Sequence, residues 1–186
     1  MNNSLIVAAA DGLASAGYTT LRFNFPYKEK GKKSPDTEST LIRTWQSAVS
    51  HLLNNERFPV DRVVAAGKSM GGRIASQMVA ADKMVVEALI FLGYPLHAPG
   101  RTDKLRDSHL YEIKKPMLFF AGTRDPLCNM EKLREVLHRL TGQFDLEIVE
   151  GGDHSFKLPK SSSSSEDSVH RQIVAKCLQW LEPIAR

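Results

Sequence analysis

One serine in this chain lies in a motif suited to nucleophilic chemistry. Ser69 stands in the run Gly67-Lys68-Ser69-Met70-Gly71, and Gly72 follows directly. A predicted strand, Arg62 to Ala66, precedes this serine, and a helix is predicted after it. A serine displayed at such a sharp turn needs small neighbours, because Cβ atoms there would collide with the strand or the helix. The motif in this context predicts a serine nucleophile.

The same letters resemble the end of a phosphate-binding P-loop. That loop needs another glycine five residues before Gly67, and Arg62 stands at that position. Nucleotide binding is therefore the less favoured interpretation.

An aspartate and a histidine later in the chain are placed to activate this serine, which needs a base and a carboxylate that orients the base. Asp125 follows the predicted strand Pro116 to Ala121, and His154 follows the predicted strand Leu146 to Val149. Open α/β sheets place their sites beyond the carboxyl ends of strands, and the order nucleophile, acid, histidine is the expected one. Asp153 is an alternative acid. Because it is adjacent to the histidine, its side chain is expected to point away, and Asp125 is preferred.

Five other histidines are weaker candidates: structural roles are favoured for His97 and His109, although these two could line a pocket, and no catalytic role is assigned to the rest. The five are His51 and His138 within predicted helices, His170 at the start of the last helix, and His97 and His109 flanking a loop. No carboxylate and histidine cluster has metal-ligand spacing, and no GxGxxG run follows a strand. Neither a metal nor a dinucleotide is predicted, and the chemistry is expected to need no cofactor.

Hydrophobic periodicity in the first third of the chain predicts two helices and a strand. Apolar residues recur at helical spacing from Ser4 to Ala16, and Gly17 follows where a left-handed cap is favoured. Apolar and polar residues alternate from Thr19 to Phe25, which is typical of a strand, and Pro26 would close it. A second amphipathic helix is predicted from Leu41 to Leu52.

The rest of the chain alternates predicted strands with predicted helices. The strands are Arg62 to Ala66, Val86 to Leu92, Pro116 to Ala121 and Leu146 to Val149, and the helices are Met70 to Val79, Met130 to Leu140 and Val169 to Leu181. This alternation, with near-continuous apolar strands, predicts an α/β fold. Its mostly parallel sheet would carry helices on both faces.

The composition is that of a globular domain, with 186 residues of which 42% are hydrophobic and 25% charged. We expect one domain over residues 1–186. Cys128 and Cys177 lie far apart without CxxC spacing, so neither a disulfide framework nor a zinc site is indicated. The net charge of +4 is scattered apart from a lysine cluster in a predicted loop at residues 28–33. Direct nucleic acid binding is therefore not expected.

Two further segments bear on location and loop structure. The longest apolar stretch, Met84 to Gly93, is too short to span a bilayer, and no secretory signal is apparent. No membrane span and a cytoplasmic location are expected. Ser161 to Ser165 is a serine run, and residues 161–168 are predicted to form a flexible surface loop.

Five segments in order resemble a small α/β-hydrolase family. They are Leu21 to Tyr27, Gly67 to Arg73, Leu92 to His97, Gly122 to Asp125 and Gly151 to Phe156. Bacterial members of this family are known as predicted hydrolases, often dienelactone-hydrolase-like, and a eukaryotic relative is a subunit of a histone-acetyltransferase complex. The resemblance implies an α/β-hydrolase fold with Ser69, Asp125 and His154 as the catalytic triad. It names no substrate.

The resemblance also implies a strand and a His-Gly-x-Gly loop ahead of the first helix, whereas this chain starts at Met1, almost inside that helix. We therefore expect the first strands and the oxyanion loop to be lacking. The absent strand would belong between the strands Thr19 to Phe25 and Arg62 to Ala66. The Met70 N–H would then be the sole oxyanion donor, and losing one donor typically lowers turnover by about 10²–10³.

These expectations leave alternative functions open. The first is a serine hydrolase that cleaves an ester, thioester or related acyl bond of a small-molecule substrate through an acyl-enzyme. The second is a non-catalytic module that keeps the hydrolase scaffold to bind a protein partner, for example in a nuclear chromatin complex. The third is a truncated isoform with little activity.

Overall fold

The computed structural model describes residues 2–185, which fall into two compact units. The division lies between Arg62 and Val63, and each unit is described by itself. A single domain over residues 1–186 stays a prediction.

The first unit is built from helices. They are α1 (Ser4–Ser15), the single turn α2 (Pro26–Glu29) and α3 (Glu38–Leu53). Asn3 caps α1 because its side chain accepts the Ile6 N–H at 3.2 Å. Gly17 follows this helix with a φ of 93°, as the sequence predicted.

The strand predicted from Thr19 to Phe25 is wrong. Residues 18–25 form no strand, because the described part of the first unit holds no other strand to complete a ladder with them. Phe23 instead packs edge-on against Trp45, with ring centroids 4.8 Å apart. Pro26 begins α2, a position that suits its fixed φ, rather than closing a strand. Of the apolar residues in the alternating pattern, Phe25 is buried, whereas Leu21 is 40% exposed.

The second unit contains a four-stranded parallel sheet in the order β1-β2-β3-β4. The strands are β1 (Val64–Lys68), β2 (Ala88–Leu92), β3 (Met117–Gly122) and β4 (Phe144–Val149). Each predicted strand of this unit is confirmed to within two residues at either end. Because all strands run the same way, their carboxyl ends share one edge of the sheet.

The core of the second unit lies at the centre of this sheet. Every residue of β2 and β3 is buried, so both faces of these strands are covered. The helix α4 (Met70–Ala80) packs against β1 and β2. A short 3₁₀ helix, Ser108–Glu112, precedes β3 and contacts α4.

Two later helices differ at their ends from the sequence prediction. The helix α5 (Met130–Leu137) ends before residues 138–140, where Arg139 and Leu140 form a tighter turn with i to i−3 hydrogen bonds. The helix α6 (Glu166–Ala185) begins inside the segment predicted as a flexible loop over residues 161–168. Ser165 starts this helix early because its side chain accepts the Ser168 N–H at 3.1 Å. Only residues 161–165 of that segment lack regular structure.

Candidate active site

Ser69 joins β1 to α4 in a backbone conformation that is rare for an L residue, with φ 53° and ψ −123°. The strand end and the helix start approach each other closely around it. A Cβ on Gly67 would lie 2.2 Å from the Gly72 nitrogen, and a Cβ on Gly72 would lie 2.8 Å from the Gly67 carbonyl oxygen. Glycine is therefore required at both positions. The predicted setting, a serine between a strand and a helix with small neighbours, is confirmed.

The three residues expected to form a triad meet at the carboxyl ends of β1, β3 and β4. His154 Nε2 lies 2.8 Å from Ser69 Oγ, and His154 Nδ1 lies 2.7 Å from Asp125 Oδ2. A carboxylate only accepts hydrogen bonds, so the ring proton is assigned to Nδ1 and Nε2 accepts the serine hydroxyl. In this arrangement the imidazole is placed to take the proton of Ser69.

The carboxylate of Asp125 is enclosed and oriented. Its side chain is 0% exposed, whereas the His154 side chain is 19% exposed. Oδ1 accepts the Leu127 N–H at 2.8 Å, which leaves Oδ2 facing the imidazole. Asp153, the alternative acid, accepts two backbone N–H groups of its own loop at 2.7 and 3.0 Å. Asp125 is thus the carboxylate that contacts the imidazole.

A close backbone contact joins the loop that carries Asp125 to the loop that carries His154. The Arg124 N–H donates to the Gly152 carbonyl oxygen at 2.8 Å. A Cβ on Gly122 would lie only 2.3 Å from the same oxygen, so only a glycine allows this approach. The end of β3 therefore fixes the start of the loop that contains His154.

Two residues to which the sequence interpretation gave no role lie against His154. Lys68 Nζ donates to the His154 carbonyl oxygen at 3.2 Å. Burial lowers the pKa of Lys68, and the carboxylates of Asp125 and Asp153 oppose that effect. Gly93 has a φ of 75°, and a Cβ there would lie 3.1 Å from the His154 oxygen and 3.6 Å from ring atoms Cε1 and Nδ1. Two sequence signals mark Gly93, its place directly after a strand and its position in the segment Leu92 to His97 that resembles the family, but neither indicates a contact with His154.

Met70 opens α4, and its N–H is the first of the helix N–H groups that have no partner within the helix. No side chain of the preceding residue caps this end. The N-terminus of a helix carries partial positive charge and favours an anion beside it. The peptide N–H next to Ser69 therefore suits a developing oxyanion, and its role as a donor stays a prediction.

A second serine and histidine pair occurs in this unit without such a setting. Ser76 Oγ lies 2.9 Å from His109 Nε2, but Ser76 is fully buried on α4. Burial and, to a smaller extent, the nearby Arg73 cation lower the pKa of His109 to about 4, against the effect of Asp107. These contacts join the 3₁₀ helix to α4, and a structural role for His109 stays a prediction.

The described part of the chain holds neither a cluster suited to a metal ion nor a helix suited to a membrane. Within residues 2–185, no group of three or more His, Cys, Asp or Glu side chains is arranged to hold a metal ion. No helix of that range is long and apolar enough to cross a bilayer. Cys128 and Cys177 are free and buried.

Comparison with known proteins relates the sequence to one family and the fold to several solved structures. The family described as an alpha/beta hydrolase domain matches residues 1–182. A dienelactone hydrolase from Anabaena variabilis is similar, with a TM-score of 0.74 and 20% identity over 97% of this chain and 79% of that chain. A serine hydrolase without a lid from Xanthomonas campestris has a TM-score of 0.70 and 23% identity over 98% of this chain and 76% of that chain.

A third similar structure is an esterase domain from a Rhodothermus marinus protein, with a TM-score of 0.66 and 15% identity over 97% of this chain and 80% of that chain. At these identities the similarity shows the fold, which confirms the resemblance to dienelactone-hydrolase-like proteins at that level. The link to a histone-acetyltransferase complex stays a prediction.

Proposed function

Because this chain belongs to the alpha/beta hydrolase domain family, we propose that it is a serine hydrolase that cleaves an ester, thioester or related acyl bond. The observation that carries the proposal is the unbroken line of hydrogen bonds from Ser69 Oγ through the His154 ring to Asp125. The names of two similar structures, a dienelactone hydrolase and an esterase domain, support an acyl bond as the target.

Ser69, His154 and Asp125 have distinct chemical tasks in this line. As Ser69 Oγ attacks the substrate carbonyl carbon, His154 Nε2 takes the hydroxyl proton. The enclosed carboxylate of Asp125 holds the ring by Nδ1–H and stabilises the imidazolium that forms. The imidazolium then returns the proton to the leaving group, and water, activated by the same ring, releases the acyl group from Ser69.

The tetrahedral intermediate needs a donor for its negatively charged oxygen. The Met70 N–H supports this step, since it belongs to the residue after the nucleophile and opens α4. The helix adds its partial positive charge at the same point. The oxyanion thus has a fixed partner that needs no side-chain rearrangement.

A fluorophosphonate probe tests the proposal, because it modifies only serines activated by a base. We expect one adduct on the folded 186-residue protein, located to Ser69 by peptide mass spectrometry, and none after heat denaturation. Ser69→Ala should abolish labelling, and His154→Ala should slow it by several orders of magnitude. Turnover of short-chain p-nitrophenyl esters and of acyl thioesters would then separate the two acyl classes.

Ser76→Ala is the matched control, since Ser76 also contacts a histidine but is fully buried. This variant should label as fast as the wild-type protein. A folded wild-type chain that gives no Ser69 adduct and hydrolyses neither substrate class would contradict the proposal and favour the binding-module alternative.

A further inference from the structure

His97 lies in the loop after β2, and the described contacts join it to the loop that carries Asp125. It is 2% exposed. Its Nδ1 lies 2.9 Å from the Ala98 carbonyl oxygen, and its Nε2 accepts the Asn129 N–H at 2.9 Å. A carbonyl oxygen cannot donate, so the ring proton is on Nδ1 and the ring is neutral. Both ring nitrogens therefore have backbone partners.

The backbone of the same residue holds the same turn at a second point. The His97 N–H donates to the Leu127 carbonyl oxygen at 3.0 Å. Leu127 in turn supplies the N–H that binds Asp125 Oδ1 at 2.8 Å. His97 thus binds the turn after β3 at Leu127 and at Asn129, the residues on either side of Cys128. The same turn sets the orientation of the Asp125 carboxylate.

We propose that His97 is a positioning residue for the catalytic acid, because its ring holds the 125–129 turn in the form that presents Asp125 Oδ2 to His154. An apolar side chain of similar volume would leave the Asn129 N–H without its acceptor. Asp125 and Cys128 are buried but Asn129 is exposed, so the freed N–H is expected to turn toward water and to shift the turn with it. The effect on turnover rests on the proposed hydrolase function, whereas the geometry does not.

Two substitutions at this position separate hydrogen bonding from packing. In His97→Gln, the side-chain amide oxygen can reach the place of Nε2 and accept the Asn129 N–H, whereas His97→Leu fills the space without an acceptor. We expect His97→Leu to lower kcat by roughly 10- to 100-fold with little change in KM, since a misplacement of about 1 Å in a catalytic group costs about 10²-fold. His97→Gln should stay within about 3-fold of wild type.

A double-mutant cycle tests whether His97 acts through the acid. If it does, His97→Leu should cost less than about 2-fold in an Asp125→Asn background, where the carboxylate is already gone. A loss of equal size in both backgrounds would show a general effect on the fold and overturn the proposal.

A second readout does not depend on turnover. In ¹⁵N-histidine spectra of the wild-type protein, the His154 shifts should show a protonated Nδ1 and a bare Nε2. In His97→Leu, both shifts should move toward the average of the two tautomers, and in His97→Gln they should match wild type. A folded His97→Leu protein with wild-type shifts would overturn the proposal. An inactive wild-type chain would refute the hydrolase function, yet these spectra would still decide the role of His97.

If His97→Leu does not fold, the partner residue gives the same test. Asn129 has a φ of −68°, which proline can adopt, so Asn129→Pro removes the N–H that His97 accepts. Asn129→Ala is its control, because it keeps that N–H and loses only the side-chain cap on Lys132 N–H. Asn129→Pro should change the His154 shifts and Asn129→Ala should not; equal spectra for two folded variants would count against the proposal.

Discussion

Gly93 is the position from which a single added methyl group would reach the imidazole of the candidate active site. Its φ of 75° lies in the left-handed region, and a Cβ there would lie 3.1 Å from the His154 carbonyl oxygen and 3.6 Å from ring Nδ1. Gly93→Ala therefore imposes two separable effects, backbone strain and a contact with the base.

The size of each effect follows from the geometry. Left-handed backbone costs an L residue about 1–2 kcal/mol, and the smaller unfolded-state entropy of alanine offsets about 0.4–1 kcal/mol of this. A net loss of about 1 kcal/mol in the free energy of unfolding is expected. Ordinary van der Waals contact with a Cβ begins at 3.4 Å, whereas the Gly93 Cβ would lie 3.1 Å from the His154 oxygen. That oxygen must therefore move away by the difference between these two distances. If about 1 Å of misplacement costs about 10²-fold, a shift of about 0.3 Å costs roughly 4-fold in kcat.

Gly100→Ala provides the matched control. Gly100 has a similar φ of 69°, but a Cβ there would meet nothing within 4 Å. Urea unfolding should show a similar loss of stability for both variants, whereas hydrolysis of a p-nitrophenyl ester should slow only in Gly93→Ala. The ¹⁵N shifts of His154 should change in Gly93→Ala alone. Wild-type kcat in a folded Gly93→Ala protein, or an equal loss in Gly100→Ala, would refute the claim that Gly93 leaves room for the base.

Three other predictions concern the second unit. Gly67→Ala places a Cβ 2.2 Å from the Gly72 nitrogen and should lower the free energy of unfolding in urea by about 3 kcal/mol or more; wild-type stability would contradict this contact. Burial lowers the pKa of His109 from 6.5 to about 4, so its stabilising contribution is full above pH 6.5 and is lost as the pH falls toward 4. His109→Gln should flatten this dependence by at most about 1.4 kcal/mol per pH unit, and an unchanged slope would argue against it. Burial raises the thiol pKa of Cys128 and Cys177 to about 12, so a disulfide reagent near neutral pH should label them only after unfolding; rapid labelling of the folded protein would contradict it.

The accuracy of the sequence predictions depended on whether the governing contacts are local. The strands of the second unit and the helix after Ser69 were predictable, because apolar runs and glycines mark them within a few residues of chain. The strand from Thr19 to Phe25 failed, since strand formation also needs a partner that local alternation does not report.

The same distinction holds within the site. Asp125 and His154 were predictable, because chain order and the ends of strands locate acids and bases in α/β sheets. Gly93 and His97 were not assigned their roles, because each acts on a residue that is distant in sequence. His97, for example, meets Asn129, which lies 32 positions further along the chain. Such contacts appear only when the loops are assembled.

The positive φ of Ser69 lowers the stability of the fold at the position of the proposed nucleophile. A φ of 53° is unfavourable for any side chain with a Cβ, and glycine would hold this turn with less strain. A selection for thermal stability alone, with no demand for hydrolysis, is therefore expected to favour Ser69→Gly. Under the proposed function, the serine at this turn is maintained by catalysis at a cost in stability. At residue 69, selection for activity would thus favour serine, whereas selection for stability would favour glycine.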